Sequence, residues 1–211
     1  MTATTHLDYR DLMSAMAVDL PEGERDGLRV ERFTIEPNDL GLFVMSLKEP
    51  GARPRLGTYT RLTKNGRLWM SDTTAERRDH LPVLQQAQYL GARRAIINGL
   101  GLGMVVKGLL ALPTIEHIDV VEIDPRVVRL VGGHYAGDPR VSVHEADAYE
   151  QVKAWPRGTR WDVGWSDIWP DLSADALPDM ARLNRTYGRR CDWHRCWGQE
   201  LIKSHVRRYG W

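Results

Sequence analysis

A glycine-rich turn between two apolar runs is the feature that most constrains the fold of this chain. The run at 95–98 predicts a buried strand, Gly99-Leu-Gly-Leu-Gly103 predicts a turn, and Val120–Asp124 predicts the end of a second buried strand. Glycines allow a backbone to pass close under a ligand, and the helix after the turn would point its positive N-terminal end at that ligand. Glu122 is suited to accept hydrogen bonds from two ribose hydroxyls. The segment therefore predicts a pocket for an adenosine-bearing cofactor.

Strand and helix patterns alternate through the middle of the chain. We predict strands at 95–98, 117–122, 140–144 and 161–166, with helices near 103–112, 125–134 and 148–154. This alternation predicts a mainly parallel sheet with right-handed crossovers, which is a Rossmann-like α/β fold. Since no strand pattern follows residue 166, we expect the sheet to be truncated after its fourth strand.

These patterns divide the chain into three parts. We predict an N-terminal helix and a β-rich segment over 1–72, a Rossmann-like cofactor-binding core over 73–172, and a helical basic C-terminal tail over 173–211. In the first part, Asn65-Gly66 between two alternating runs is a strong hairpin signal, and residues 49–54 indicate a loop. Residues 74–90 have the apolar spacing of a helix.

The composition argues against several classes of protein. A net charge of +1 gives no overall bias toward polyanions, and no apolar stretch is long enough to cross a bilayer. The N-terminus lacks the apolar run of a signal peptide. The two cysteines, Cys191 and Cys196, provide no disulfide framework, which fits a reducing compartment. We therefore expect a cytoplasmic protein with no membrane partner.

Four motifs occur in order at the ends of the predicted strands. They are the glycine turn, Val121-Glu-Ile-Asp124, Asp138-Pro-Arg-Val141 with Asp147-Ala148, and Asp167-Ile-Trp-Pro-Asp171. In an open α/β sheet the ligand lies across these strand ends. With these motifs, residues 95–171 resemble the S-adenosylmethionine-binding core of class I methyltransferases, most closely the spermidine synthase branch. The pattern of that branch is GGGDGG, VEID, DPRV followed by DA, and a strand that ends in DSSDP.

The resemblance implies S-adenosylmethionine, or its decarboxylated form, as the cofactor. The residues that would line this cofactor are Gly99, Leu100, Gly101, Gly103, Glu122, Ile123, Asp147 and Ala148. Among them, Glu122 would bind the ribose and Asp147 the adenine amino group. Asp167 would contact the cofactor and act as the catalytic base toward a small-molecule acceptor. The residues that would bind this acceptor are Trp169, Asp171 and, upstream, Asp79.

Two departures from the family pattern bear on the reaction. Leu102 replaces the Asp of GGGDGG, and Pro170 replaces the second Asp of DSSDP, so two acids that bind a polyamine are missing or displaced. Because a multiply charged cation needs carboxylate partners, we predict methyl transfer ahead of aminopropyl transfer. Leu102, Trp165 and Trp169 suggest an apolar acceptor pocket. A third hypothesis is a non-catalytic nucleotide-binding or assembly module that keeps the core for folding or oligomerisation. On the truncated side of the sheet, we expect a substrate site that is open or is completed by the helical tail or by the second subunit of a homo-oligomer.

Several candidate residues keep a structural alternative. Asp147 can serve only as the cap of the helix at 148–154, and Asp167 can be a structural acid paired with an arginine. Cys191, His194 and Cys196 are too few for a closed metal site, so we predict no metal.

The basic C-terminal tail, from Arg182 to Arg208, also contains Trp193 and Trp197. Phosphates attract cations and bases stack on aromatic rings, so a nucleic acid is an alternative partner. The favoured interpretation is an amphipathic helix that packs both tryptophans on the core and leaves its arginines in solvent.

Overall fold

The front of the chain forms a small antiparallel sheet. The computed structural model describes residues 6–36 and 55–209, so the predicted loop at 49–54 lies outside the described residues. After a short helix, α1 (Tyr9–Ala15), the strands follow in spatial order as β1 (Gly23–Arg25), β2 (Leu28–Ile35), β3 (Gly57–Lys64) and β4 (Arg67–Ser71).

The turn between β3 and β4 is the predicted hairpin. Lys64 pairs with Arg67, so Asn65 and Gly66 form a two-residue connection. Both residues have positive φ, 51° and 74°, as hairpin turns of this length require. The hairpin prediction is therefore confirmed.

A second sheet of five parallel strands forms the core of the fold. Its strands are β5 (Arg94–Asn98), β6 (His117–Glu122), β7 (Val141–Glu145), β8 (Trp161–Ser166) and β9 (Cys191–Cys196). Their spatial order is β7-β6-β5-β8-β9, so the direction of winding reverses between β5 and β8. Ligands of open α/β sheets bind at the carboxyl ends of strands beside such a reversal. The predicted Rossmann-like α/β fold is confirmed.

Helices cover both faces of this sheet. They are α2 (Thr74–Leu90), α3 (Met104–Leu110), α4 (Pro125–Val127) with a π-helical turn at Val128–Gly132 and α5 (Gly133–Tyr135), α6 (Ala148–Ala154), α7 (Leu177–Tyr187) and α8 (Gln199–Tyr209). Because successive strand side chains point to opposite faces, Ile97 packs in the core beneath α2 and α3, whereas Ile96 packs with Trp161 and Tyr187 on the other face. Among the described residues, no helix has the length and apolar character needed to span a bilayer.

The fifth strand overturns two of our predictions. β9 pairs with β8 from Trp161 opposite Cys191 to Ser166 opposite Cys196, so the sheet is not truncated after its fourth strand and the tail is not wholly helical. Both predictions were wrong because the sequence of β9 lacks apolar alternation, and only its two cysteines are buried. The strand pairs well because Gly164 of β8 has no side chain and leaves room for the side chains of Cys191 and His194.

Candidate functional site

A cleft of about 660 Å³ opens at the carboxyl ends of β5, β6 and β8. The strand-end residues predicted from the sequence meet there, because Gly99, Glu122, Asp147 and Asp167 all line it. The cleft is completed by residues from the hairpin between β3 and β4, from α2 and from the turn after β9. It lies beside the point where the winding of the sheet reverses, which is where the fold places a ligand.

The glycine turn brings two strand ends into contact. Gly99 has a φ of 92°, and a side chain there would collide with the backbone carbonyl of Asp167. Gly101 has a φ of 51°, and its side-chain position is taken by the thioether of Met70. Both glycines line the cleft, as does Leu100. Gly103 instead lies against the ring of Tyr135 and is not among the lining residues.

Glu122 is held at the end of β6 by two backbone amides. Its Oε2 accepts from the amide of Leu100 at 2.8 Å, and its Oε1 accepts from the amide of Asp124 at 2.8 Å. A carboxylate oxygen can accept more than one hydrogen bond, so both oxygens keep the capacity to accept from a pair of hydroxyls. Ile123, which is 63% exposed, projects at the rim beside it.

Asp147 is the N-terminal cap of α6. Its Oδ1 accepts from the amides of Tyr149 at 2.6 Å and Glu150 at 3.3 Å. The capping alternative is thus realised, and both bonds go to one oxygen. Because Asp147 and Ala148 also line the cleft, capping and adenine binding are compatible. The adenine role of Asp147 stays a prediction.

Asp167 follows β8 and lines the cleft. Its amide donates to the carbonyl of Asn98 at 2.8 Å. Burial, together with the negative charges of Glu76, Asp79 and Glu122, raises the pKa of its carboxyl to about 7. The basic side chain beside it is His80, whose Nε2 lies 3.6 Å from Oδ2. Among the described residues, the partner of Asp167 is therefore a histidine and not the arginine that the structural alternative requires.

Negative charge dominates the lining of the cleft. Among the described residues, the carboxylates that line it are Glu76, Asp79, Glu122, Asp124, Asp147, Asp167 and Asp179. The ammonium that lines it, Lys64, lies over the ring of Trp69 at 4.5 Å and 3.8 Å from Asp124. Aromatic rings form much of the remaining wall: Trp69, Trp165, Trp169, Trp197 and Tyr149. Such a cleft attracts a cation, through the acids and through the faces of the rings.

Two residues that we expected at the acceptor side of the cleft, Leu102 and Asp171, lie outside it. Leu102 is fully buried in the core and does not line the cleft, so it does not make the acceptor side apolar. Asp171 is exposed and does not line the cleft either. The acceptor residues Trp169 and Asp79 do line it.

The sequence reasoning missed Glu76, His80 and Trp197 as cleft residues. Glu76 and His80 are four residues apart on α2, a spacing that places them on one face, and this spacing was the available signal. Glu76 accepts from the amide and the hydroxyl of Ser71, and burial raises the pKa of its carboxyl. Trp197 enters the cleft because β9 carries the chain back to the sheet.

The residues of the metal alternative serve the core instead. Cys191 and Cys196 are buried free thiols, and burial raises the pKa of each to about 12. His194 contacts the hydroxyl of Ser166 at 2.9 Å through Nε2 and the amide oxygen of Asn184 at 2.7 Å through Nδ1. Within residues 6–36 and 55–209, no cluster of three metal-ligating groups is found.

The tryptophans of the nucleic-acid alternative are also engaged. Trp193 stacks on Trp165 with ring centroids 6.1 Å apart, and Trp197 lines the cleft. The tryptophans pack on the core, as the favoured interpretation expected, but from β9 and the turn after it rather than from a helix.

Comparison with known proteins finds curated relatives that are named as polyamine aminopropyltransferases. No protein-family model matches the chain. Polyamine aminopropyltransferase 2 of Ralstonia nicotianae is 37% identical over 126 residues, which are 54% of this chain and 24% of that protein. Polyamine aminopropyltransferase 2 of Streptomyces coelicolor is 33% identical over 110 residues, covering 48% of this chain and 20% of that protein. The predicted resemblance is confirmed. The chain spans about a quarter of the length of these relatives.

Solved structures of spermidine synthases are also similar to the chain. Spermidine synthase from Thermotoga maritima covers 81% of this chain, with 53% of its own chain aligned, 17% identity and a TM-score of 0.48. A spermidine synthase in complex with the transition-state analogue AdoDATO covers 68% of this chain, with 44% of its own chain aligned, 19% identity and a TM-score of 0.43.

Proposed function

We propose that this chain binds an adenosyl sulfonium cofactor and transfers an alkyl group from it to a cationic amine. One observation carries the proposal: the cleft holds both Glu122, a buried carboxylate oriented by two backbone amides, and Asp167, an acid whose side chain is 23% exposed and whose carboxyl has a pKa of about 7. The first has the chemistry of a ribose ligand, and the second that of a general base at neutral pH.

The cofactor would lie across the glycine turn. Gly99 and Gly101 leave the backbone bare beneath it, and Glu122 would accept from its two ribose hydroxyls. Asp147 would accept from the adenine amino group through Oδ2. The cationic sulfonium would lie among the acids and the aromatic faces of the cleft.

The reaction would begin with proton transfer. Asp167 in its ionised form would accept a proton from the ammonium of the acceptor, which frees a lone pair on nitrogen. That nitrogen would form a bond to the carbon next to sulfur while the carbon–sulfur bond breaks, and the electron pair would stay on a neutral thioether. The protein's further contribution would be to hold the two reacting atoms in line in a cleft sheltered from water.

We favour aminopropyl transfer as the form of this reaction. S-adenosylmethionine carries a carboxylate that its decarboxylated form lacks, and the acids that line the cleft would repel that carboxylate. The curated relatives are polyamine aminopropyltransferases by name. The second candidate is methyl transfer. It is favoured by the sequence at two positions: Leu102 and Pro170 stand where the polyamine-binding pattern has acids, and Asp171, one residue later, is exposed and does not line the cleft.

Calorimetry on the full chain with each cofactor tests the proposal. We expect the decarboxylated cofactor to bind more tightly than S-adenosylmethionine, and Glu122→Ala to abolish binding of both. Glu145→Ala is the matched control, because Glu145 pairs with Glu122 across the sheet but does not line the cleft. A thermal melt of each variant separates lost binding from lost folding.

Products then separate the two reactions. Release of methylthioadenosine in the presence of putrescine indicates aminopropyl transfer, and release of S-adenosylhomocysteine indicates methyl transfer. If the folded chain binds neither cofactor, the proposal is wrong and a non-catalytic assembly module remains.

A further inference from the structure

His80 is a buried histidine in contact with the proposed base. It lies on α2 with its side chain 6% exposed, and its Nε2 is 3.6 Å from Oδ2 of Asp167. The ring packs edge-on against Trp165, with centroids 6.1 Å apart, and against Trp197 at 6.4 Å. No part of the cofactor pocket described above needs this histidine.

Trp165 determines which nitrogen of His80 carries the proton. The indole Nε1 of Trp165 donates to Nδ1 of His80 at 3.2 Å. An indole N–H is a donor only, so Nδ1 must offer a lone pair. Burial lowers the pKa of His80 to about 4, so the ring is neutral at neutral pH. A neutral ring with a lone pair on Nδ1 carries its proton on Nε2, the nitrogen that faces Asp167.

We propose that His80 is a positioning residue for Asp167, and that Trp165 fixes its tautomer so that a neutral Nε2–H is presented to the carboxylate. The inference rests on the proposed function, because Asp167 is the base there. The distance of 3.6 Å is longer than a hydrogen bond. Catalytic hydrogen bonds are often long before substrate binds and shorten in the reactive complex.

The fixed N–H would act on Asp167 in two ways. It would orient Oδ2, leaving Oδ1 to accept the proton of the amine. It would also favour the ionised form of the carboxyl, against the burial and the charges that oppose ionisation. The titratable groups that surround Asp167 are Glu76, Asp79 and His80 from α2, Glu122 from β6 and Cys196 from β9.

Nuclear magnetic resonance of the full chain labelled with ¹⁵N-histidine tests the tautomer directly, without cofactor or substrate. Two-bond nitrogen–proton spectra distinguish Nε2–H from Nδ1–H, and the His80→Gln variant identifies the signals of His80 among the seven histidines. We expect His80 to be the Nε2–H form at pH 7.5. His194 is an internal reference, since its Nδ1 faces the amide oxygen of Asn184 and must carry the proton.

The Trp165→Phe variant tests what fixes the tautomer. It removes the indole donor and keeps an aromatic ring. We expect the signals of His80 to become those of mixed tautomers, while His194 stays in its Nδ1–H form. An Nδ1–H form of His80 in the unmodified chain, or an unchanged spectrum in Trp165→Phe, would overturn the inference.

Kinetics with the decarboxylated cofactor and putrescine test the role in catalysis. His80→Leu removes the donor, and we expect kcat to fall by about tenfold to a hundredfold, the acid limb of the pH profile to move to higher pH, and cofactor affinity to stay unchanged. His80→Gln keeps an N–H donor near the position of Nε2, and should recover most of the lost rate. A role in packing alone would not produce this rescue or this shift of the pH profile.

The two proposals fail in different ways. If the unmodified chain binds neither cofactor in calorimetry, the proposed function is wrong whatever the tautomer of His80, and no catalytic role is left for His80. If the chain turns over putrescine while His80→Leu has an unchanged kcat and acid limb, the function stands and the positioning role of His80 is wrong.

Discussion

The Glu76→Gln substitution removes one of the charges that raise the pKa of Asp167. Burial is the largest cause of that pKa of about 7, and repulsion from Glu76 comes next, ahead of Asp79 and Glu122. The glutamine amide oxygen can still accept from the amide and hydroxyl of Ser71, as the carboxylate does. The substitution therefore changes charge with little change in shape.

The expected effect follows from the sign of that charge. Removing a nearby like charge lowers a carboxyl pKa by about one unit, which is about 1.4 kcal/mol between the protonated and ionised forms. If Asp167 is the base, kcat/KM rises with pH as its carboxyl loses the proton. With a pKa of about 7, about a tenth of Asp167 is ionised at pH 6, and a pKa one unit lower makes about half of it ionised. The rate at pH 6, relative to the plateau of the same variant, should therefore rise about fivefold.

The assay is the initial rate of adenosyl thioether release across a pH series, with saturating decarboxylated cofactor and with putrescine well below its KM, so that the rate reports kcat/KM. Asp179→Asn is the matched control, because Asp179 lines the cleft but is not among the charges that shift the pKa of Asp167. An acid limb that does not move in Glu76→Gln, or that moves equally in Asp179→Asn, would refute the reasoning.

Three further substitutions have defined outcomes. Folding raises the pKa of the Asp167 carboxyl from 3.8 to about 7, so the native chain loses stability as the pH rises between these values. Asp167→Asn removes this loss and should raise the free energy of unfolding, measured in urea, by about 1–2 kcal/mol at pH 8 once partial exposure is discounted. At pH 4 the gain should be much smaller. Asp72→Ala should lower the free energy of unfolding by about 3–5 kcal/mol, because Arg77, whose side chain is 12% exposed, loses the buried carboxylate that its Nη2 contacts at 3.0 Å. A loss below about 1 kcal/mol would contradict a buried ion pair. Gly99→Ala should abolish cofactor binding in calorimetry, because the added side chain would collide with the carbonyl of Asp167. Gly158 has a similar positive φ but open space around it, so Gly158→Ala should bind the cofactor normally and lose about 1–2 kcal/mol of stability.

The parts of the site that could be predicted from the sequence have local signals. The glycine turn follows an apolar run and precedes a helix, Glu122 ends the next apolar run, and Asp147 has the position of a helix cap. Each of these signals occupies a few adjacent residues, and the parallel sheet then aligns the strand ends. The Asn65-Gly66 hairpin was predictable for the same reason, because two residues determine the turn.

The parts that could not be predicted depend on pairing between distant segments. β9 has the sequence Cys-Asp-Trp-His-Arg-Cys, and its strand conformation comes from its hydrogen bonds to β8 rather than from its own pattern. Glu76 and His80 lie in the cleft because α2 packs across β8. Without that packing, a histidine on an amphipathic helix gives no sign that it faces Asp167.

The strand that the sequence did not predict also changes the meaning of the C-terminal segment. β9 brings Trp193 onto Trp165, with the two rings nearly parallel at 5°, and Trp165 in turn donates to His80, which faces Asp167. The C-terminal segment thus contributes to the support of the proposed base, which a truncated fold would lack.

The energetics of the cleft bear on the hypothesis of a non-catalytic module. Burying Asp167 near Glu76, Asp79 and Glu122 raises its pKa to about 7, so this arrangement opposes folding at neutral pH. A chain that used the fold only for assembly would gain stability by replacing Asp167 with a neutral residue of similar size. Destabilising clusters of titratable groups in a cleft are typical of functional sites, where activity requires them. The cluster, together with the two amides that orient Glu122, therefore favours a working transferase over a module that retains only the fold.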